Sequence, residues 1–260
     1  MIILFYILIG LVTGVLSGML GIGGGVISVP ALFYIFETLN PNDPFLMHKC
    51  IATALGSTLI TSIGASIAHH KKRALLPNVL KMIVPGLVIG CILGALISTV
   101  IPSGLLQSFF GWMALLLSIH FLFPNLFKGE ISPHPTNAIS FFGALIGALS
   151  SLLGVGGGVF MVPLLLAYSV PLKNAVATSS AGTLTTAFVG SVIYLFIAYG
   201  KPTGPDTIGF INIPAVLGIG VSSLLTSSFG VKLAHVLPTH IVKRGFALAL
   251  AVTGISMVLS

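Results

Sequence analysis

Long apolar stretches, separated by short polar or proline-containing breaks, make up most of this 260-residue chain. A helix needs about 20 apolar residues to cross the hydrocarbon core, and most of the stretches approach that length. The second and seventh are only about 12–14 residues long, which predicts part-spanning or re-entrant helices. The pattern predicts an all-α polytopic membrane protein. Its stretches fall at about residues 2–18, 25–38, 48–69, 76–99, 104–125, 136–152, 158–169, 173–199, 208–232 and 240–259.

The charged residues agree with a membrane location. They make up 6% of the chain, against about a quarter in a soluble domain. The net charge of +7 comes from 11 Lys and Arg against 4 Asp and Glu. These cations are scattered at segment ends without aromatic interleaving, which argues against a nucleic-acid surface and is typical of orientation charges. The predicted partner is the lipid bilayer, and the sequence leaves a homo-oligomer open.

The chain also repeats itself. SGMLGIGGGVISVP at residues 17–30 matches SSLLGVGGGVFMVP at residues 150–163, a shift of 133. An Ala-Thr pair at residues 52–53 opens a run of small residues, and a pair at residues 177–178 opens a similar one. Such self-similarity predicts a duplicated bundle of about five segments per half, with residues 1–128 as the first repeat and 129–260 as the second.

An odd number of segments in each repeat would invert the second copy in the membrane. If the N-terminus lies outside and every segment reverses the direction of the chain, only Lys49 and Lys201 of the eleven cations lie outside. Parallel halves would place five of the eleven there. The positive-inside rule therefore predicts two inverted repeats in the inner membrane, with both termini outside and the glycine-rich breaks near the midplane. The cytoplasmic cations are then Lys71, Lys72, Arg73, Lys81, Lys128, Lys173, Lys232, Lys243 and Arg244.

Two glycine runs are the first candidates for chemistry. They lack the Lys-Ser/Thr of a phosphate-binding loop and the spacing of a dinucleotide site. Consecutive glycines are unfavourable inside a helix, so each run predicts a break followed by a new helix from about Val26 or Val159. The amides of that helix start suit an anion, although close helix packing is the alternative. The predicted substrate-binding glycines are Gly23, Gly24, Gly25, Gly156, Gly157 and Gly158.

Hydroxyl side chains follow each run at helical spacing. They could donate hydrogen bonds to substrate oxygens, or bond to their own helix and its neighbours. Thr53, Ser57, Thr178 and Thr183 are the predicted binding residues among a set that also holds Thr58, Ser179 and Ser180. Lys49 is predicted to attract an anion at the outer mouth, with an interfacial lysine as the alternative. Gly86, Gly90 and Gly94 instead predict a helix-packing face.

Several kinds of site are missing from the pattern. Glu37, Asp43, Glu130 and Asp206 all fall in loops or at segment ends, so no carboxylate is predicted in mid-span to bind a proton or sodium. Proton coupling would then depend on Glu37 or a histidine. No nucleophile, paired-carboxylate or metal-ligand spacing is present, so the sequence predicts no catalytic residue, no metal site, no cofactor and no enzyme.

The doubled motif, LSGMLGIGGGVISVP and LSSLLGVGGGVFMVP, resembles the TauE/SafE family of sulfite exporters and organosulfonate permeases (the toluene-sulfonate uptake permease superfamily). The resemblance runs over nearly the whole chain. It implies a transporter of small sulfur-containing anions, with the glycine runs bordering the site and the threonine and serine hydroxyls nearby. The chain departs from the family pattern of small residues at Ser222 and Thr226, which occupy the positions of Gly86 and Gly90 in the first half. How closely the helix of Ser222 and Thr226 approaches its neighbour is therefore open.

Together these features predict a secondary transporter of sulfite or an organosulfonate that works by alternating access. The alternatives are a channel-like uniporter of another small organic anion and a membrane accessory subunit that transports nothing. An accessory subunit is expected to lack polar groups at matched depth in the two halves, and this chain has them.

Overall fold

The computed structural model describes residues 2–21, 23–123, 138–201, 203–204, 206–233 and 239–259. These residues form ten α-helices and one short antiparallel hairpin of β1 (Thr207–Ile208) and β2 (Ile211–Asn212). The helices are α1 (Ile2–Leu20), α2 (Gly25–Leu39), α3 (Leu46–Lys71), α4 (Pro77–Ser98), α5 (Ser103–Leu122), α6 (Ala138–Leu153), α7 (Gly158–Ala167), α8 (Leu172–Ile197), α9 (Ile213–Leu233) and α10 (Thr239–Leu259).

The architecture confirms the predicted all-α polytopic membrane protein, and each apolar stretch corresponds to one helix. Within the described residues, α1, α3, α4, α5, α8 and α9 are long and apolar enough to cross a membrane. The second and seventh helices are short, as predicted, at 15 and 10 residues. They begin at Gly25 and Gly158, one residue before the predicted starts. The predicted boundary between residues 128 and 129 lies outside the described residues.

Helices of one half pack against helices of the other half in a reciprocal pattern. The first helix of each half lies along the fourth helix of the other, α1 on α9 and α6 on α4. The third helices α3 and α8 pack together, as do the fifth helices α5 and α10. Neither half forms a separate bundle, because the main contacts of α1, α4, α6 and α9 cross between the halves.

Small residues set the close approach of α4 and α6. A Cβ atom added to Gly86, Gly90 or Gly94 would collide with the backbone of α6 around Ser140, Ala144 and Ala148. The predicted packing face is therefore confirmed, since only residues without side chains let membrane helices approach this closely.

The matching contact between α1 and α9 is equally close, although α9 carries Ser222 and Thr226. Gly10 and Gly14 of α1 face these two side chains, and an added Cβ atom on either glycine would collide with them. Gly10 and Gly14 correspond to Gly143 and Gly147 of α6 under the shift of 133, so the first helix of each half supplies glycines to its contact. The contact of α1 with α9 therefore stays close without glycines at positions 222 and 226, which answers the question that the departure from the family pattern left open.

The long central helices α3 and α8 run in opposite directions. Thr53, near the start of α3, bonds to the hairpin that follows α8, and Thr178, near the start of α8, bonds to Leu76, which follows α3. We call the end of the bundle that contains Thr53 and the hairpin the hairpin end, and the opposite end, which contains Thr178 and Leu76, the basic end. Lys49 and Lys201 lie at the hairpin end, whereas residues 71–73 and Lys173 lie at the basic end.

Helices α5 and α10 also run in opposite directions. Ser118 Oγ, near the end of α5, donates to Ala247 O in the first half of α10, at 2.7 Å. Gln107 Nε2, near the start of α5, donates to Met257 O near the end of α10, at 3.1 Å.

Candidate functional site

Each glycine run interrupts the helical structure and forms a break between two helices. The first separates α1 from α2, and the second separates α6 from α7. Gly23 and Gly156 adopt φ angles of 75° and 78°, in the left-handed region that only glycine occupies without strain. The sequence therefore sets both the location of each break and its backbone conformation.

The two breaks lie in direct contact in the interior of the bundle. A Cβ atom added to Gly25 would collide with Gly154 O, and one added to Gly23 would lie 3.0 Å from Val155 O. Backbone from one half thus packs against backbone from the other half, with no side chain between them. Non-helical backbone is tolerated at membrane depth only where protein buries it or where it lines a cavity.

Each break also packs on the third helix of the opposite half. An added Cβ atom on Gly21 would lie 2.8 Å from Val176 O of α8, and one on Gly154 would lie 2.9 Å from the Cα atom of Ile51 in α3. Ile51 and Val176 occupy matching positions, since Thr53 and Thr178 differ by the same shift of 125. The contacts are reciprocal, so the breaks meet where α3 and α8 cross.

Thr58 and Thr183 lie at this crossing. They are the thirteenth and twelfth residues of 26-residue helices, so both are near mid-length. An added Cβ atom on Gly156 would lie 2.8 Å from the Thr58 methyl and 2.9 Å from the Thr183 methyl, and one on Gly23 would lie 3.4 Å and 3.1 Å from them. One threonine from each half therefore contacts the glycine breaks of both halves.

The hydroxyls of these two threonines are buried and unpaired. Thr58 is 0% exposed and Thr183 is 1% exposed. Neither Oγ1 atom has a hydrogen-bond partner among the described residues. A buried hydroxyl without a partner costs about 1–3 kcal/mol. Two such groups at matched positions, beside two helix breaks, form a polar centre that a bound ligand could complete.

The electrostatic environment of this centre favours an anion. The first intrahelical bonds of α2 run from Ile27 N and Ser28 N to Gly24 O, and those of α7 run from Phe160 N and Met161 N to Gly157 O. The amides that precede them have no intrahelical partner, and each helix start carries about half a positive charge. Every charged side chain in the described part of the chain lies in a loop or within six residues of a helix end.

Thr53 and Thr178, two of the predicted binding residues, are engaged elsewhere. Thr53 Oγ1 accepts from Asn212 N at 3.0 Å and lies 3.5 Å from Phe210 O, while Thr178 Oγ1 accepts from Leu76 N at 3.1 Å. Each holds the segment that leads into a fourth helix, at opposite ends of the bundle. The structure does not bring them to the glycine breaks.

Ser57 and Lys49 also each have a partner away from the glycine breaks. Ser57 Oγ donates to Ala54 O at 2.9 Å, one turn back in its own helix. Lys49 forms an ion pair with Asp43, and both side chains are largely buried at the hairpin end. Of the predicted binding residues, the structure gathers the two glycine runs and Thr183 at the centre.

Three residues of this centre fell outside the predicted binding set. Thr58 was one of the hydroxyls at helical spacing, and its match to Thr183 under the shift of 125 is the signal that would have selected it. Thr186, which matches Thr61, donates to Gly156 O at 2.8 Å and so supports the second break. Ser179 gives similar support by bonding to Gly21 O and Gly158 O at 3.0 and 3.1 Å.

Comparisons with known proteins agree with this architecture. The family model described as "Sulfite exporter TauE/SafE" matches residues 6–257. A "Probable membrane transporter protein" of Haemophilus influenzae is 30% identical over 260 residues, which cover 99% of this chain and 98% of the relative. Another, of Methanocaldococcus jannaschii, is 27% identical over 256 residues, which cover 97% and 94%. No solved structure matches the chain significantly.

Proposed function

This chain belongs to the TauE/SafE family of sulfite exporters and is a membrane transporter, not an enzyme, and on that premise we propose that it moves a small sulfur-containing anion, such as sulfite or an organosulfonate, across the inner membrane. The observation that carries the proposal is the pair of unpaired hydroxyls of Thr58 and Thr183 between the two glycine breaks. The anion binds there and accepts hydrogen bonds from both hydroxyls. The free amides at the starts of α2 and α7 donate further bonds to it.

We propose that transport works by alternating access, which the arrangement of the halves supports. We infer that they are inverted repeats of about five helices each, residues 1–128 and 129–260. The opposite directions of α3 and α8, and of α5 and α10, support this inference. The separation of Lys49 and Lys201 from residues 71–73 and Lys173 supports termini on the outer side. Rocking of one repeat against the other then exposes the centre to each side in turn.

Thr53 and Thr178 take part at the two entrances. Each hydroxyl now bonds to the segment that covers one end of the bundle, so opening of that end releases it. A released threonine can donate to an anion on its way to the centre. Lys49 lies at the hairpin end beside its partner Asp43, where it contributes to the entrance and not to the central site.

The charge of the site selects among sulfur-containing anions. Two helix starts supply about one positive charge in total, and the described charged side chains lie near helix ends or in loops. This matches a monoanion, such as a sulfonate or hydrogen sulfite. A dianion such as sulfate would leave about one negative charge unbalanced in a medium of low dielectric constant, which is strongly unfavourable.

The test is flux into proteoliposomes of sulfite, thiosulfate, sulfoacetate, sulfate and acetate. We expect saturable flux of sulfite, part of which is the hydrogen sulfite monoanion near neutral pH, and less flux of the dianions thiosulfate, sulfoacetate and sulfate. Thr58→Val and Thr183→Val should each reduce that flux about tenfold to hundredfold, since a hydrogen bond to a charged group contributes about 1.5–3 kcal/mol. Thr185→Val is the matched control, because Thr185 lies on the same helix as Thr183 and bonds to Ala181 O. It should transport like the unmodified protein.

The outcomes separate the alternatives. Unchanged flux in both single variants would remove the two hydroxyls from the site. Flux that rises linearly with concentration would indicate a channel-like uniporter. If folded protein transports none of these anions, the accessory-subunit hypothesis gains and the sulfur-anion proposal fails.

A further inference from the structure

The hairpin end of the bundle contains a buried histidine inside an aromatic cluster. His48, in the first turn of α3, is 3% exposed. Its ring centroid lies 5.8 Å from that of Phe45 and 5.7 Å from that of Phe210, and the two phenylalanine rings are 5.3 Å apart. Phe210 belongs to the hairpin segment that Thr53 holds. The cluster therefore joins α3 to the segment that covers this end.

The hydrogen bonds of His48 determine where it can take up a proton. His48 Nε2 lies 2.9 Å from Ser98 O, and a carbonyl oxygen can only accept, so Nε2 carries the hydrogen. Nδ1 is then unprotonated, is buried, and has no partner among the described residues. A second proton would bind at Nδ1. Ser98 is held in turn by Tyr194, whose hydroxyl donates to Ser98 Oγ at 2.9 Å.

The charges around His48 oppose that second proton while this end is closed. Lys201 Nζ lies 4.9 Å from the ring centroid of Phe45 and 5.4 Å from that of Phe210, so one cation already occupies the cluster. Asp43 interacts electrostatically with His48, but it is engaged by Lys49. Ser98 and Tyr194 contribute no charge. Protonated His48 would be a second cation in the cluster, more deeply buried than the half-buried Lys201 and without an acid of its own.

We propose that His48 is a proton-binding site and that its protonation opens the hairpin end, which makes transport proton-linked. Repulsion from Lys201 and the loss of water both disfavour imidazolium in the closed cluster. Separation of Phe45 from Phe210 relieves both, because it admits water to the ring and lets Lys201 move away. The inference concerns the opening of one end and does not depend on which anion is carried.

The direction of the effect follows from linkage. The open arrangement binds the proton more tightly than the closed one, so proton uptake favours opening. An imidazole in water takes up its proton near pH 6.5. The hairpin end should therefore stay closed well above that pH and open increasingly below it.

Hydrogen–deuterium exchange of segment 206–212 tests the proposal, with the protein in lipid nanodiscs and no substrate present. The Asn212 amide is the main probe, since it donates to Thr53 Oγ1 in the closed arrangement. After correction for the intrinsic chemical rate, we expect exchange to rise about fivefold between about pH 8 and about pH 5.5, which corresponds to a tenfold difference in proton affinity between the two arrangements.

His48→Gln is the informative variant, because its side-chain amide can still donate to Ser98 O but cannot take up a proton. Its exchange should stay slow at both pH values. His70→Gln is the matched control, since His70 is exposed in the last turn of the same helix, and it should respond like the unmodified protein. Lys201→Gln removes the opposing cation and should shrink the response to pH.

Two results would overturn the inference. One is an absence of any pH response in the unmodified protein, and the other is an equal response in His48→Gln. If His48→Gln fails to fold, a full response in Lys201→Gln would overturn it in the same way. Because no substrate is present, a failure here is distinguishable from a failure of the transport proposal, which the flux assay measures separately.

Discussion

Thr53 of the first half and Thr178 of the second half occupy matching positions near the starts of α3 and α8, and each holds the segment that leads into a fourth helix. Their surroundings differ. Around Thr53 lie the Lys49–Asp43 ion pair and the aromatic cluster with Lys201. Beside Thr178, a neutral hydrogen bond from Asn174 Nδ2 to Ala74 O holds the segment that leads into α4. The two ends thus share their backbone attachment but differ in the groups around it, and the opening that we propose to be linked to protonation of His48 belongs to the hairpin end.

Glycines show a similar divergence between the halves. On the fourth helices, Gly86 and Gly90 of α4 correspond to Ser222 and Thr226 of α9. Both interfaces remain close, because the first helix of each half carries glycines at matching positions, Gly10 and Gly14 in α1 and Gly143 and Gly147 in α6. Small residues let membrane helices approach closely, and beside Ser222 and Thr226 the glycines of α1 are sufficient. Matched substitutions in the two halves can therefore have very different effects.

The largest difference is expected between Gly90→Ala and Thr226→Ala. The new methyl group in Gly90→Ala collides with Ala144 O, and backbone cannot move aside cheaply. We expect a loss of about 2–3 kcal/mol in the free energy of unfolding. Thr226→Ala only shortens a side chain that bonds to Leu11 O, so its cost should stay below about 1 kcal/mol. Denaturant unfolding in detergent measures both, and equal losses would refute this difference in packing between the two positions.

A smaller difference is expected between Gly157→Ala and Gly24→Ala, at the matching ends of the two breaks. Gly157 has φ of 75°, where alanine costs about 1–2 kcal/mol. Gly24 has φ of −83°, and an added Cβ atom would meet nothing nearer than 3.5 Å. Its replacement should change stability by less than about 0.5 kcal/mol. Thermal unfolding of the two variants side by side gives the comparison, and a stability loss in Gly24→Ala as large as that in Gly157→Ala would contradict it.

The smallest effects are expected from Thr53→Val and Thr178→Val. Each leaves one backbone N–H, of Asn212 or Leu76, without its acceptor, at a cost of about 1 kcal/mol. Thr178→Val should cost less, because Asn174 still holds the same segment at 2.8 Å. Exchange rates of the Asn212 and Leu76 amides report the two openings separately. A larger rise at Leu76 than at Asn212 would show that the basic end depends more on its threonine.

The sequence predicted much of the architecture because its signals are local. Each apolar stretch became one helix, and the breaks came within one residue of their predicted ends, since consecutive glycines interrupt a helix wherever the chain lies. The duplication also indicated that matched residues would meet. It could not show which hydroxyls would be free, because helical spacing treats Thr53 and Thr58 alike.

Tertiary structure decided that choice. Thr53 bonds to residues that are 157 and 159 positions away in the sequence, and Thr178 bonds to one that is 102 positions away. Thr58 and Thr183, in contrast, remain unpaired between the breaks. In the same way, the sequence predicted that Lys49 attracts an anion at the outer mouth but could not show its ion pair with Asp43, and His48 is enclosed only when Ser98 and Phe210 pack against it. Apolar periodicity and backbone breaks are properties of a local segment. The partner of a polar group depends on which distant segment arrives beside it, and that is settled only when the helices pack.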